Sequence, residues 1–172
     1  MIFSSCTKEK NPILVLHTDK ELTVSQGITS YKGKALTGKI VAYSSKKMLL
    51  YSCDYTNGRK NGEEKKWHSN GLKEMYRLYS KGVKIGVHKG WWENSNKKFE
   101  YHFNSSGAYQ GEVKEWFRDG TVYRTFNYLN GREDGSQKMY KPDGSIRANY
   151  VVVAGERFGL IGLKTCDPVS TM

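Results

Sequence analysis

The sequence predicts an all-β fold, an elongated antiparallel meander of repeated β-hairpins. Three observations predict it. Glycine recurs at Gly38, Gly62, Gly86, Gly111, Gly135 and Gly159, in steps of 24, 24, 25, 24 and 24 residues by subtraction. A second series, Gly71, Gly120 and Gly144, lies nine residues on, with Lys47 and Ser95 in its vacant places; a third, Gly58, Gly82, Gly107, Gly131 and Gly155, stands four residues before the next repeat. Between glycines the apolar side chains alternate with period two, the mark of a half-buried strand. Self-similarity at this period signals a repeat architecture.

The bulk numbers agree. The chain has 172 residues, with 12 Tyr, 6 Phe and 4 Trp against only 3 Pro. Alanine and leucine are too sparse for a helix bundle, and no apolar run approaches the ~18 residues of a membrane helix. The net charge is +11. Its lysines are spread along the chain, as on a solvated strand surface, and could also draw in anionic lipid or nucleic acid.

The chain divides into residues 1–12, a tether or signal remnant; 13–37, N-terminal strands; 38–159, five repeats; and 160–172, a closing cap or tail. At the start, a small-residue pair before Cys6 and a polar stretch after it resemble the end of a bacterial lipoprotein signal, so Cys6 is the lipidation candidate. Only five residues precede it, and the charged and apolar regions of a signal peptide are absent. Two readings stay open: a start placed too late, with a lipid-anchored envelope protein, or an ordinary cytoplasmic N-terminus. Ile13-Leu14-Val15-Leu16, Leu22-Thr23-Val24 and Ile28-Thr29-Ser30-Tyr31 read as strands, and Lys32-Gly33-Lys34 as the turn into the first repeat.

Each repeat then reads alike. A short strand carries an aromatic five residues past its glycine: Tyr43, Trp67, Trp91, Trp116, Tyr140. Turns follow at Ser69-Asn70-Gly71, Arg118-Asp119-Gly120 and Pro142-Asp143-Gly144, where Asn-Gly and Asp-Gly supply positive φ. Lys47 and Ser95 imply a different turn type or more strain. The second strand alternates, with Leu49, Tyr51, Cys53 and Tyr55 on one parity and Ser52, Asp54 and Thr56 on the other. The third repeat holds one extra residue between Ser95 and Gly107, expected as a bulge or a longer turn. Gly38, Gly62, Gly71, Gly86, Gly111, Gly120, Gly135, Gly144 and Gly159 are read as structural turn and packing positions. Near the C-terminus, a sixth unit starts at Gly159 and stops before Cys166, as a closing strand or a docking tail.

The pattern G-x4-[WY]-x3-G-x10-G-x3-G resembles the MORN repeat, in the variant form of bacterial YwqK-type antitoxin proteins. The units NGEEKKWHSNGLKEMYRLYSKGVKIG and QGEVKEWFRDGTVYRTFNYLNGREDG carry it, over roughly residues 31 to 159. It departs at Lys47, at Ser95 and in the extra residue of the third repeat. The resemblance implies β-hairpin arrays that act as interaction or scaffold modules, in some cases on phospholipid. The antitoxin label implies a toxin partner that nothing in these residues identifies.

Chemistry-bearing motifs are scarce. His17, His68, His88 and His102 fall in different repeat phases and read as single surface residues. Zinc needs closely grouped ligands, and the three cysteines, Cys6, Cys53 and Cys166, form no CxxC pair. Glu63, Glu64, Glu93, Glu112 and Glu115 sit on first strands, as a charged ladder beside lysines. No nucleophile elbow, P-loop or dinucleotide fingerprint occurs. The expectation is a non-enzymatic module with no cofactor and no metal. Its partner is a protein or a second copy; anionic lipid or nucleic acid is the alternative, with membrane contact only through a lipid anchor. Contact residues are sought among Trp67, Trp91, Trp92, Trp116 and Phe117. The once-per-repeat aromatics should stack along one side as core or groove, and of the adjacent pair Trp91-Trp92 one indole should face the less buried side.

Overall fold

The structure is a computed structural model that describes residues 12–162. Cys6 and Cys166, and the tether and tail readings attached to them, lie outside the described residues. Fifteen strands and no helix make up what is described. Twelve form one sheet in which the repeats follow one another as consecutive antiparallel hairpins.

Three N-terminal strands fall where the sequence places them, β1 (Ile13–Leu16), β2 (Leu22–Ser25) and β3 (Ile28–Tyr31), and Lys34, expected in the turn, opens a further short one, β4 (Lys34–Ala35). Their partners are less predictable. β2, β3 and β4 make a separate three-stranded sheet, and β1 pairs in parallel with β5 (Gly38–Tyr43). Parallel pairing needs a long crossover, and β2 to β4 supply it. Gly38 opens β5 opposite Ile13, and a Cβ there would lie 2.2 Å from the Ile13 carbonyl oxygen. It is a close-approach glycine, not a turn. Val15, Leu36 and Ile40 bury together at this end, with Leu22, Tyr31, Tyr51 and Tyr55 against them.

The five hairpins pair β5 with β6 (Leu49–Thr56), β7 (Arg59–Trp67) with β8 (Lys73–Ser80), and β9 (Val83–Trp91) with β10 (Lys97–Phe103). Then come β11 (Gly111–Trp116) with β12 (Val122–Leu129) and β13 (Arg132–Tyr140) with β14 (Ile146–Val153); β15 (Glu156–Leu160) closes the sheet. The turn inside each hairpin is the same. The Gly71, Gly120 and Gly144 N–H groups donate to carbonyls three residues back, and Lys47 and Ser95 make the same bond at 2.9 Å. Those two side chains take it at φ 60° and 67°. So the turn type is kept and strain is accepted, at about 1–2 kcal/mol per left-handed residue. Between hairpins, Asn57-Gly58, Lys81-Gly82, Asn130-Gly131 and Ala154-Gly155 turn with both φ positive, the type I′ signature. The extra residue of the third repeat makes a longer turn, closed by the Asn104 N–H on the Ala108 carbonyl at 2.9 Å.

The first glycine series does something other than turn. Gly62, Gly86 and Gly135 lie inside strands, at φ 111°, 63° and 71°. Around Gly62 the pairing runs from Cys53↔Glu64 to Tyr55↔Lys60, so three residues of β7 oppose Asp54 alone. β9 and β13 repeat this opposite Arg77 and Asn127. Gly111 and Gly159, also at positive φ, lie within β11 and β15. These glycines are bulge and strand positions. A turn and a bulge both demand positive φ, so glycine alone cannot say which is meant. Bulges bend and twist a strand; those in β7, β9 and β13 curl the sheet.

The curl makes a core from a single layer. Two residues past the first five of these glycines stand Ile40, Glu64, His88, Val113 and Gln137, none more than 4 % exposed. Cross-strand partners continue the row through Cys53 and, further on, Phe126 and Tyr150. Along this row one face of a single-layered sheet is dry.

Candidate binding groove

Beside the buried row runs a second one that water reaches: Tyr51, Lys66, Met75, Phe99, Glu115 and Arg124 follow one another across the sheet. Gly90 stands between Met75 and Phe99, and the Phe99 ring lies across it. An added Cβ would meet that ring at 2.2 Å. Next to every hairpin turn the register slips, leaving Leu50, Glu74, Lys98, Tyr123 and Arg147 as extra residues on the second strands.

Three depressions lie along this row and share walls. The first, about 990 Å³, is lined by Tyr51, Glu64, Trp67 and His68 among others. The second, about 420 Å³, shares His68, Glu74, Met75 and Arg77 with it and adds Trp91 and Trp92. The third, about 500 Å³, shares Trp92 and Phe99 with the second and ends on Trp116, Phe117 and Tyr123. Together they form one groove across four repeats.

Glu64 sits at its floor. The hydroxyls of Tyr51 and Tyr79 each donate to it at 3.0 Å; Lys60 pairs with it, and Arg77 stands 3.8 Å away. Burial alone would raise its pKa, but Lys60 and the two phenols outweigh it and hold the carboxyl below its ordinary value. Burial pushes the neighbouring groups the other way: Tyr79 to about 12, the Cys53 thiol to about 11, and Tyr51 well above a free phenol. An ionised, four-partnered carboxylate beside an inert thiol is built to hold structure. The other carboxylates also face cations: Glu63 with Lys65, Glu112 with Lys114 and Glu115 with Arg124 on first strands, and Glu93 with Arg118, although Glu93 lies in the turn past β9 and not on the strand as expected.

One histidine departs from expectation. His88 is buried, its ring wedged between Tyr79 and Phe103 with centroids 5.7 and 4.6 Å away. Its Nε2 lies 2.9 Å from the Leu78 carbonyl oxygen, and burial lowers its pKa. Among the described residues no group of three or more His, Cys, Asp or Glu could hold a metal ion.

The expected aromatic column is split. Trp67, Trp91 and Trp116 each line a successive depression. Successive first strands are two strands apart, about 10 Å, whereas ring pairs need ~4.5–7 Å. The contacting rings lie elsewhere: Tyr79, His88, Phe103, Tyr109 and Tyr128 run in series at 5.7, 4.6, 4.8 and 5.1 Å. Nor do Trp91 and Trp92 divide between two faces, since both line the middle depression. Trp92 lies one residue past the end of β9, where strand alternation no longer applies.

Trp92 also has a structural duty. Its Nε1 donates to the Trp116 carbonyl at 3.2 Å, as Nε2 of His68 does to the Trp91 carbonyl at 3.1 Å one repeat earlier. Asn70 and Asn94 make matching bonds to the Glu93 and Arg118 carbonyls, at 3.2 and 2.8 Å. Phe117, at the corresponding place, has no side-chain donor and packs on Tyr123 instead. Lys98 lies over the Trp92 ring at 4.3 Å, and Lys97 over Trp116 at 5.1 Å.

Sequence reasoning missed Glu64 as a hub and Gly90 as the seat of Phe99. The signal for the first was present: the column two residues past each first-series glycine. Neither a protein-family model nor a curated protein sequence matches this chain.

Proposed function

We propose that this chain is a non-catalytic interaction and scaffold module of MORN-type repeats, working at the bacterial cell envelope, that takes up a protein strand at its C-terminal edge. The observation that carries the reading is that edge. All five residues of β15 are exposed, Phe158 and Leu160 among them, and Val151 and Val153 stand exposed on the adjoining β14. Among the described residues no strand pairs with the outer side of β15. An unpaired row of N–H and C=O groups flanked by apolar side chains is a template for another chain.

The partner is another protein or a second copy. If a second copy, β15 against β15 closes as a two-fold dimer, whereas β15 against a neighbour's β1 would grow open-ended. Most groove charges already face one another, so the alternative anionic-ligand reading is supported only by net charge and by Lys98. The antitoxin-like reading rests on the resemblance, and the envelope placement on Cys6. Light scattering and partner capture with the full chain test the proposal. We expect assembly or capture that the pair Phe158→Lys and Leu160→Lys abolishes without changing the melting temperature. A strict monomer whose captured partners are indifferent to both substitutions would refute it.

A further inference from the structure

We infer that the groove binds an uncharged, linear, β-1,4-linked polysaccharide, with one disaccharide seated per repeat. Four observations carry this, none of them involving the β15 edge.

The first is spacing. Each repeat contributes two strands, so equivalent side chains recur about every 10 Å. At that interval the groove presents an indole: Trp67, then Trp91 with Trp92, then Trp116. Two rings of an extended β-1,4-linked chain have the same span and turn the same face to one side at each repeat. Polymer and protein therefore stay in step over several units.

Charge is the second. Most of the groove's ionic side chains are matched: Lys66 with Glu74, Lys60 with Glu64, Arg118 with Glu93; Lys98, with no carboxylate partner among the described residues, lies over the Trp92 ring instead. A phosphodiester or uronate chain would have to break these pairs to be held. A neutral ligand leaves them intact and gains from them, because a paired carboxylate and ammonium together offer an acceptor and a donor to hydroxyls.

Third, the strands beneath the groove from β5 to β12 are paired on both sides. Their N–H and C=O groups are spent in the ladder, so only side chains can read a ligand here. An extended peptide would bring its own backbone donors and acceptors with nothing to meet them. A sugar chain instead lays its C–H faces on aromatic rings and sends its hydroxyls to the edges, where Glu74, Glu93 and Arg118 stand.

The fourth is shape. The depressions join through shared walls into a track, open along its length, that suits a chain rather than a compact metabolite.

Calorimetric titration of the full chain with β-1,4-linked glucose oligomers tests this, using the disaccharide, tetrasaccharide and hexasaccharide. A parallel N-acetylglucosamine series separates the two sugar chemistries. In at least one series affinity is expected to rise about tenfold or more with each added disaccharide, with tryptophan fluorescence changing on binding. Trp116→Ala and Phe117→Ala should each weaken hexasaccharide binding by about tenfold. Phe117 carries no clasp, so its loss removes a ring face without unfastening repeats, and melting curves identify any variant that fails to fold. Phe158→Lys should bind sugar normally. The inference is overturned if both hexasaccharides fail to bind at millimolar concentration, if affinity ignores chain length, or if a folded Phe117→Ala binds unchanged. A protein partner that occupies the groove while all sugars stay inert would equally overturn it.

Discussion

At the N-terminal end of the sheet, the edge strand β1 is anchored from beneath: Val15 is buried with Leu36 and Ile40 under the β2–β4 flap. At the C-terminal end, β15 buries no side chain at all. The same contrast runs inward to the buried row. Glu64 in the second repeat and Gln137 in the fifth occupy one slot, two residues past a bulge glycine. Gln137 fills it with neutral chemistry. Its carboxamide accepts from the Asn127 N–H at 3.0 Å and donates to the Asn127 carbonyl at 2.8 Å, replacing the ladder bonds that the bulge takes away. A carboxylate cannot donate, so Glu64 recruits Lys60, Tyr51 and Tyr79 instead. One slot can thus be satisfied locally or by a network reaching across two hairpins, and the half holding the network is the half that is capped.

Breaking the hubs should show this most strongly. Glu64→Ala leaves a half-buried lysine and two phenols without their acceptor and is expected to cost about 3 kcal/mol, the low end for breaking a buried pair because Lys60 can reach water. Gln137→Ala forfeits hydrogen bonds to backbone and should cost about 1–3 kcal/mol. Urea titration of both variants checks the order, and equal costs would erase the contrast.

The ends come next. Val15→Ala opens a cavity beneath the flap and should cost about 1–2 kcal/mol, whereas Phe158→Ala should fall within ~0.5 kcal/mol of the parent. Gly38→Ala drives a methyl into the Ile13 backbone. It should release β1, seen as lost amide protection over residues 13 to 16 with β15 unaffected.

Acid should also separate the halves. The buried His88 resists protonation, so above its unfolded pKa of ~6.5 it carries no penalty. As pH falls below that value the unfolded chain takes up a proton that the folded chain refuses, and stability drops until the folded pKa is reached. The lowered Glu64 carboxyl contributes stability that is present above the unfolded carboxyl range and lost as pH falls through its folded pKa. Hydrogen exchange measured between pH 7 and pH 4 should therefore show the second and third repeats loosening before the fifth, with His88→Phe removing the step nearest pH 6.

The smallest effect concerns strain. Ser95→Gly relieves a left-handed residue in an otherwise unchanged turn and should add about 1 kcal/mol. A Lys47→Gly gain of the same size would show that the turn is indifferent to which half it serves.

By itself the sequence determined the class, the period, the strands and the hairpin turns. These are local matters: two-residue alternation sets a strand, and Asn-Gly or a lone glycine sets a turn through φ, whatever lies beyond. It singled out Trp67, Trp91, Trp92, Trp116 and Phe117, which line the depressions, but not their separation from one another or the shared side of Trp91 and Trp92. Only the tertiary structure decided which glycines bend a strand from within, that β1 lies parallel to β5, and that Glu64 and His88 are interior. Burial in a single-layered sheet depends on how far successive bulges curl it, and curl accumulates over many repeats. No residue carries that sum alone, so it becomes visible only once the repeats are set side by side.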